Sequence, residues 1–173
     1  MRPMLEAISR QKVDLPIEVV LVDNQSTDQT VARAKSLRPD LTLVSINEFL
    51  PGLALNLGIR ASRGDYIVCV SSHCPPVDDY WLSTLLRNLR DSDVAGVYGR
   101  QVPTQFTNPF DKRDLLNMFG LDHRVQIRDT FFHNANSMMP RAVWERFPFD
   151  EEVTNIEDRL WGQQVINAGM KIV

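Results

Sequence analysis

The apolar residues of this chain occur in short β-branched runs that alternate with amphipathic segments. Runs at 17–22, 41–46 and 65–70 are typical of strands that helices bury on both faces. Helical spacing of apolar positions follows at 31–37, 53–61 and 78–89, and again at 157–168 before Gly169. Strands alternating with helices predict a three-layer α/β/α fold with a mostly parallel sheet and right-handed crossovers.

The alternation breaks down in the second half of the chain. A strand is predicted at 94–102, but residues 103–130 mix Pro, Asn, Asp, Lys and Arg, with one short helical candidate at 115–119. A strand at 131–139, a short helix at 141–147 and a final strand at 171–173 follow. The irregular stretch predicts a long excursion of the chain over a functional site.

Length and composition limit the class of protein. A chain of 173 residues with 43% hydrophobic side chains supports one packed core, so residues 1–173 are interpreted as a single domain. The net charge of -3, without a long run of like charge, argues against nucleic acid as a partner. The spacing of Cys69 and Cys74 fits neither a disulfide framework nor a zinc knuckle and favours a reducing compartment. No segment has the pattern of a membrane span or a signal peptide, so a cytoplasmic location is expected.

Three polar clusters stand where ligands of an open α/β sheet bind, beyond the carboxyl ends of strands. The first is DNQSTD at 23–28 and the second is SSHC at 71–74. The third, Glu157-Asp158, opens the last helix. Cys69 lies in the strand predicted at 65–70, where its side chain should point into the sheet. A zinc site built on Cys69, His73 and Cys74 is therefore only a remote alternative.

In this order, these clusters make the chain resemble a family 2 nucleotide-sugar glycosyltransferase of the GT-A fold, a Rossmann-like fold. The segment VVLVDNQSTDQT is similar to the family's first nucleotide-contact loop, and NLGIRASRGDYIVCVSSHC to the central segment that ends in its metal motif. The segments HNANSMMPRAVWERFPFDE and IEDRLWG are similar to the acceptor-side half. The resemblance implies a nucleoside-diphosphate sugar as donor and a glycan or lipid-linked glycan as acceptor.

The resemblance places Asp23 and Asn24 against the nucleotide base, where carboxylate and amide groups suit the N–H and carbonyl groups of a pyrimidine. The alternative for Asp23 is that its carboxylate caps the following helix. Ser26, Thr27 and Asp28 are expected to do only that.

The family's Asp-x-Asp metal motif falls on Ser71-Ser72-His73, so both aspartates are replaced. His73 occupies the metal-binding position, and imidazole suits Mn²⁺ better than Mg²⁺. Ser72 is expected to bind the ribose or a metal-bound water. The alternative is a strand-end histidine that binds no metal, with Cys74 packed rather than ligating.

The resemblance makes Asp158 the general base for the attacking hydroxyl, with Glu157 as its support or substitute. The alternative is that two carboxylates in a helix's first turn only complement the helix dipole.

Three asparagines receive donor-binding roles from the resemblance. Asn56 lies in a segment that approaches the diphosphate, although the arginine expected one place earlier is Leu55. Asn134 and Asn136, with Ser137, line the donor-sugar pocket, unless they only satisfy strand-end backbone. The aromatic residues Trp144, Phe147 and Phe149 are expected in the core, whereas Trp161 fits either the core or a sugar-stacking role.

Relatives begin with a strand and loop before the helix predicted at 1–11, and they continue beyond Val173. The chain is therefore expected to be truncated at both ends, with open sheet edges that favour self-association.

The leading hypothesis is an inverting glycosyltransferase of cell-surface polysaccharide biosynthesis, cytoplasmic or peripheral to the inner face of the plasma membrane. Inversion is implied by the resemblance and by the absence of an evident nucleophile for a double displacement. The second hypothesis is a catalytically silent nucleotide-binding or assembly module with a degenerate metal motif. Loss of both aspartates favours the second hypothesis, and retention of Glu157-Asp158 opposes it.

Overall fold

The computed structural model describes residues 1–173 and contains seven helices and six strands. The helices are α1 (Arg2–Ser9), α2 (Thr30–Leu37), α3 (Pro51–Arg60), α4 (Trp81–Arg87), α5 (Pro109–Met118), α6 (Arg141–Arg146) and α7 (Glu157–Asn167). The strands are β1 (Val20–Asp23), β2 (Thr42–Ser45), β3 (Tyr66–Val70), β4 (Val94–Tyr98), β5 (Asn136–Pro140) and β6 (Lys171–Ile172). The predicted alternation of strands and helices is confirmed, although the bounds of most elements differ from the predicted ones by a few residues.

The strands form two sheets. β1 and β2 pair in parallel, and the second sheet has the order β3-β5-β4-β6. In that sheet β4 and β6 are parallel, whereas β5 is antiparallel to both of its neighbours. The sheet is thus more mixed than the prediction of a mostly parallel sheet.

The direction of β5 follows from the path of the chain between β4 and β5. Residues 99–135 leave β4 at its carboxyl end and return to the same end of the sheet, where Gly99 N donates to Asn136 O at 2.9 Å. Ser71 N donates to Ala135 O at 3.1 Å at the same place. The carboxyl ends of β3 and β4 therefore meet the amino end of β5 at one edge of the sheet.

Helices cover both faces of the four-stranded sheet. On one face α3, α6 and α7 enclose a core in which the Phe132 and Trp161 rings lie 4.3 Å apart. On the other face α4 packs its leucines against Val94, Val97 and Met138. These layers confirm the α/β/α architecture. None of the helices has the length and apolar character needed to cross a membrane.

The structure decides between the alternatives for the aromatic residues. Trp161 is 1% exposed, and its indole Nε1 donates to Phe147 O at 2.9 Å. It is therefore a core residue and not a sugar-stacking surface. The predicted core positions Trp144 and Phe149 are confirmed as buried.

Two segments differ from the sequence-based prediction. α5 covers ten residues instead of five, because Asn108 Oδ1 caps it by accepting from Asp111 N at 3.0 Å and Pro109 is preset for a first turn. No residue of α5 is buried, so its apolar pattern was weak. Residues 131–135, predicted as strand, instead form the approach to β5 and include a turn in which Asn136 N donates to His133 O.

Candidate active site

The first polar cluster forms a compact turn after β1. The Asp23 carboxylate is buried and accepts from Ser26 N at 3.0 Å and from Ser26 Oγ at 2.5 Å. Asn24 is exposed, and Gln25 has a left-handed backbone with φ 52°. Asp23 therefore caps its own turn and not α2, which Asp28 supports by accepting from Thr30 N at 2.8 Å. The Asn24 side chain is open to a ligand.

The second cluster forms a turn after β3. Cys74 N donates to Ser71 O at 2.9 Å and closes the turn. The Ser71 hydroxyl lies 3.0 Å and 3.1 Å from the two ring nitrogens of His73. Ser72 and His73 are exposed, so both side chains face solvent at the edge where β3, β4 and β5 meet.

This turn has too few metal-binding groups for a divalent cation on its own, so a cation would bind here only together with a bound diphosphate. No group of three or more His, Cys, Asp or Glu side chains is placed to hold a metal ion. The turn offers the His73 imidazole and neighbouring hydroxyls, which is one strong ligand for an ion that takes about six. The remaining ligands would have to be diphosphate oxygens and water.

Gln101 connects this turn to His133. The Cys74 thiol donates to Gln101 Oε1 at 3.6 Å, and Gln101 Nε2 lies 3.0 Å from His133 Nδ1. Ala135 N also donates to His133 Nδ1, at 3.2 Å. Because both groups that face Nδ1 are donors, Nδ1 is the acceptor and Nε2 carries the proton.

Burial favours the neutral form of the His133 ring. Burial lowers the pKa of His133 because it disfavours the charged imidazolium, against the opposing charges of Asp158 and Glu157. Both carboxylates are thus near enough to affect its titration. No sequence pattern points to His133 or Gln101, because their contact depends on how the 99–135 segment returns to the sheet.

The third cluster opens α7. Glu157 is buried, and its Oε1 accepts from Asn134 Nδ2 at 3.3 Å. Asp158 is half-buried, and its Oδ1 accepts from Arg159 N at 2.7 Å. Glu157 is held by the protein, whereas Asp158 uses one carboxylate oxygen in its own helix and keeps the other free. The roles of Asp158 as base and Glu157 as its support stay predictions.

The asparagines of the β5 approach have different surroundings. Asn136 Oδ1 accepts from Trp81 Nε1 at 2.7 Å, which ties β5 to α4. A Cβ at Gly99 would collide with the Asn136 amide, so glycine is required for this contact. Asn134 Oδ1 and Ser137 Oγ are buried without a hydrogen-bond partner. Asn136 therefore has a structural role, and the Asn134 side-chain oxygen is buried without a partner.

The predicted donor contact of Asn56 does not fit the structure. Asn56 is 1% exposed, and its Oδ1 accepts from Trp144 Nε1 at 2.8 Å and from Phe149 N at 3.2 Å. Its Nδ2 donates to Phe149 O at 2.8 Å and to Glu151 Oε1 at 2.9 Å. Every hydrogen-bonding group of the amide is occupied inside the protein. Asn56 holds the 149–151 segment against α3 instead of approaching a diphosphate.

The predicted site residues therefore fall into three places. The His73 turn, Asn134 and the Glu157-Asp158 pair are linked through contacts at one edge of the four-stranded sheet. Asp23 and Asn24 lie at the end of β1 in the other sheet. Asn56 belongs to the core.

Comparisons with known proteins place the chain in a family. Residues 1–147 match the model of glycosyl transferase family 2, so the chain belongs to that family. An α/β sheet with polar turns at its carboxyl edge and an acidic pair at a helix start is consistent with this membership.

Two curated relatives act on O-antigen chains. The O-antigen chain rhamnosyltransferase WbaN of Salmonella anatum is 25% identical over 94% of this chain and 55% of its own length. The O-antigen chain rhamnosyltransferase RfbN of Salmonella typhimurium is 24% identical over 98% of this chain and 57% of its own length. The chain thus spans little more than half the length of these relatives.

Solved structures confirm the predicted GT-A fold. The mannosyltransferase PcManGT of Pyrobaculum calidifontis, in complex with GDP-Man and Mn²⁺, aligns over 99% of this chain and 49% of its own, with TM-score 0.72 and 22% identity. A Staphylococcus aureus TarS structure in complex with UDP aligns over 99% of this chain and 53% of its own, with TM-score 0.71 and 18% identity.

Proposed function

We propose that this chain is the donor-binding and catalytic part of a glycosyltransferase that moves a sugar from a nucleoside diphosphate to a hydroxyl of a glycan, with inversion. The observation that carries the proposal is the chain of hydrogen bonds that runs from Cys74 through Gln101 to His133, together with the hydrogen bond from the neighbouring Asn134 to Glu157. Glycosyl transfer needs a side chain that stabilises the charge of the diphosphate and a carboxylate that takes the proton from the attacking hydroxyl.

Asp158 is the general base in this proposal. It takes the proton from the acceptor hydroxyl while the hydroxyl oxygen bonds to the anomeric carbon, and the bond from that carbon to the diphosphate oxygen breaks. The nucleoside diphosphate leaves with the electron pair. Glu157, which is buried and hydrogen-bonded to Asn134, fixes the start of α7. His133 accepts hydrogen bonds at Nδ1 and therefore carries its proton on Nε2.

Asn24 and Asp23 hold the base of the nucleotide, Asn24 with its exposed amide and Asp23 with the lone pairs that Ser26 leaves free. Asn134, with its unpartnered Oδ1, binds the donor sugar. His73 and Ser72 lie at the diphosphate. A manganese ion shared between His73 and the diphosphate would neutralise charge on the leaving group when bound.

The donor, the acceptor and the location are parts of the same proposal. Relatives that act on O-antigen chains favour a cell-surface polysaccharide with a glycan or lipid-linked glycan acceptor, made on the cytoplasmic side of the membrane. β3 is an outer strand of the four-stranded sheet, and its outer side pairs with no other strand. Such an unpaired strand favours self-association.

The test of this function is donor turnover. The chain is incubated with UDP, TDP and GDP sugars and Mn²⁺, and release of nucleoside diphosphate is measured for native protein, Asp158→Asn and Asp122→Asn. Asp122 is an exposed aspartate outside the site and is the matched control. Turnover that Asp158→Asn abolishes and Asp122→Asn leaves intact supports the transferase.

A silent nucleotide-binding module is the second candidate, favoured by the lack of a preformed metal site. It predicts nucleotide binding in calorimetric titration with no turnover by the native chain. Turnover sensitive to Asp158→Asn excludes this candidate.

A further inference from the structure

His133 lies between the two arms of the segment that connects β4 to β5. The outgoing arm supplies Gln101, whose Nε2 donates to His133 Nδ1 at 3.0 Å. The returning arm supplies Ala135, whose backbone N donates to the same ring atom at 3.2 Å. The backbone oxygen of His133 also accepts from Asn136 N at 3.3 Å, which closes the turn before β5. One ring nitrogen therefore holds both arms at the entrance to β5.

These contacts join the ends of three strands. The Cys74 thiol, in the turn after β3, donates to Gln101 Oε1 at 3.6 Å, so the Gln101 amide bonds to Cys74 with one atom and to His133 with the other. Ser71 N donates to Ala135 O at 3.1 Å across the same edge. The carboxyl ends of β3 and β4 are thus attached to the amino end of β5 through the side chains of Gln101 and His133.

Asn134 stands between the two residues that this arrangement fixes. His133 is held by its ring, and Ala135 is hydrogen-bonded at both its backbone N and its backbone O. The Asn134 side chain donates from Nδ2 to Glu157 Oε1 at 3.3 Å, at the first residue of α7. The first turn of α7, which carries Asp158, is therefore held through Asn134 by the turn that the His133 ring closes.

This arrangement works with only one protonation state of the ring. Both groups that face His133 Nδ1 are N–H donors, and a proton on Nδ1 would point at them. Gln101 can turn its amide to present an oxygen. The Ala135 N–H is fixed in the backbone and would lose its acceptor. Protonation of Nδ1 therefore removes the contact that closes the returning arm.

The charged neighbours of the ring all come from the first turn of α7. Burial lowers the pKa of His133 most, the carboxylate of Asp158 raises it, Arg159 lowers it and Glu157 raises it. The other neighbours are two phenylalanine rings with centroids 5.7 Å and 6.2 Å away, which do not titrate. The ring is thus poised between a buried environment that favours its neutral form and two carboxylates that favour its charged form.

We propose that His133 is a positioning residue of this active site, which holds Asn134 and the first turn of α7 in place only while its Nδ1 is unprotonated. This proposal rests on the glycosyltransferase function proposed above. The ring itself transfers no proton in the reaction, and it acts on the base Asp158 through Asn134 and Glu157. Acidification then releases the returning arm and lowers donor turnover.

The test compares pH profiles of donor turnover, measured as release of nucleoside diphosphate. In His133→Asn the side-chain oxygen stands at the place of Nδ1 and accepts the same bonds, but it does not titrate. In His133→Leu the acceptor is lost. His123→Asn is the matched control, because His123 is exposed and bonds to Asn88 outside the site. NMR signals of the Ala135 amide proton and the Asn134 side-chain amide are followed in the same pH range and need no turnover.

His133→Leu should lower kcat by roughly tenfold to a hundredfold, because a misplacement of about 1 Å costs about a hundredfold in rate. His133→Asn should keep kcat near that of the native chain at neutral pH. It should also lose the fall in turnover that the native chain and His123→Asn show below about pH 6.5. Both NMR signals should shift with pH in the native chain and stay constant in His133→Asn.

Equal turnover in the native chain, His133→Leu and His133→Asn overturns the proposal, as does a fall at low pH that persists unchanged in His133→Asn. If His133→Leu does not fold, the comparison of the native chain with His133→Asn decides alone. If no protein turns over a donor, the transferase fails and the NMR signals decide. Shifts that His133→Asn abolishes then support the positioning role, and signals that ignore pH or ignore the substitution overturn it.

Discussion

The Trp144 indole Nε1 donates to the Asn56 side-chain oxygen at 2.8 Å, deep between α3 and α6. The same oxygen accepts from Phe149 N at 3.2 Å, and the Asn56 amide nitrogen donates to Phe149 O at 2.8 Å. One side chain thus satisfies a buried indole and both backbone groups of a neighbouring segment. Leaving such groups unpaired costs about 1–3 kcal/mol each.

Asn56→Ala should therefore lower the free energy of unfolding by roughly 2–5 kcal/mol. Urea denaturation measures the change. Asn167→Ala, at an exposed position of α7, is the control and should change stability by at most about 0.5 kcal/mol. Equal effects of the two substitutions would refute a structural role for Asn56.

Gly162 brings α7 against the backbone of the segment before β5. A Cβ at this position would collide with Thr130 O, a backbone atom that cannot rotate away. Gly162→Ala should cost about 1–3 kcal/mol of stability and reduce donor turnover, because the start of α7 carries Asp158. Gly64→Ala is the control, since its nearest contact would be an ordinary 3.4 Å. A stable, fully active Gly162→Ala protein would contradict this view of the helix contact.

His133 should make stability depend on pH. Its folded-state pKa lies below the ordinary value of 6.5 because burial disfavours the charged ring, so the unfolded chain binds the proton more tightly. The stabilisation is present above about pH 6.5 and is lost as the pH falls through the folded-state value. Urea unfolding across this range should show a slope that His133→Gln removes and His123→Gln keeps. The same slope in all three proteins would assign it to other groups.

His73 should carry the effect of manganese on nucleotide binding. Removing a protein ligand to the shared ion should weaken nucleotide binding in Mn²⁺ by about tenfold or more, because outer-shell changes alone cost about that much. Calorimetric titration of His73→Ala and of the control His123→Ala, with Mn²⁺ and with chelator, measures the difference. If neither Mn²⁺ nor the His73→Ala substitution changes the nucleotide affinity, His73 does not bind a metal ion.

Cys69 should be unreactive in the folded protein. Burial raises the pKa of the Cys69 thiol to about 12, so almost no thiolate forms near neutral pH. A thiol reagent should modify Cys74 alone in native buffer, and both cysteines in urea. Native Cys74→Ser should show no reactive thiol. Rapid modification of that variant would mean that β3 opens readily.

The sequence pattern was sufficient for the order of elements and for the family, because both depend on apolar periodicity and on short motifs at strand ends. It failed at α5, which buries no residue and forms through the Asn108 cap and Pro109. It also failed for the direction of β5, which is set by where residues 99–135 re-enter the sheet. Local periodicity carries no information about that re-entry.

The site was predicted less completely than the fold. The three clusters were located because polar residues after apolar runs mark the carboxyl edge of a sheet. Asn56 was misassigned because an asparagine in a helix looks the same whether its amide faces a ligand or a buried indole. The contact between Gln101 and His133 was not predicted, because only the tertiary path of the chain brings these two residues together.

The segment between β4 and β5 is closed at its base, where Gly99 N donates to Asn136 O at 2.9 Å. Since it leaves and re-enters the sheet at one edge, its length is independent of the spacing of the strands, and extending such a loop costs little entropy. Insertions at its exposed positions, such as those around Leu121, leave the core and the acidic pair in place. These exposed positions can therefore diversify during evolution without disturbing the buried residues of the same segment, such as Phe132.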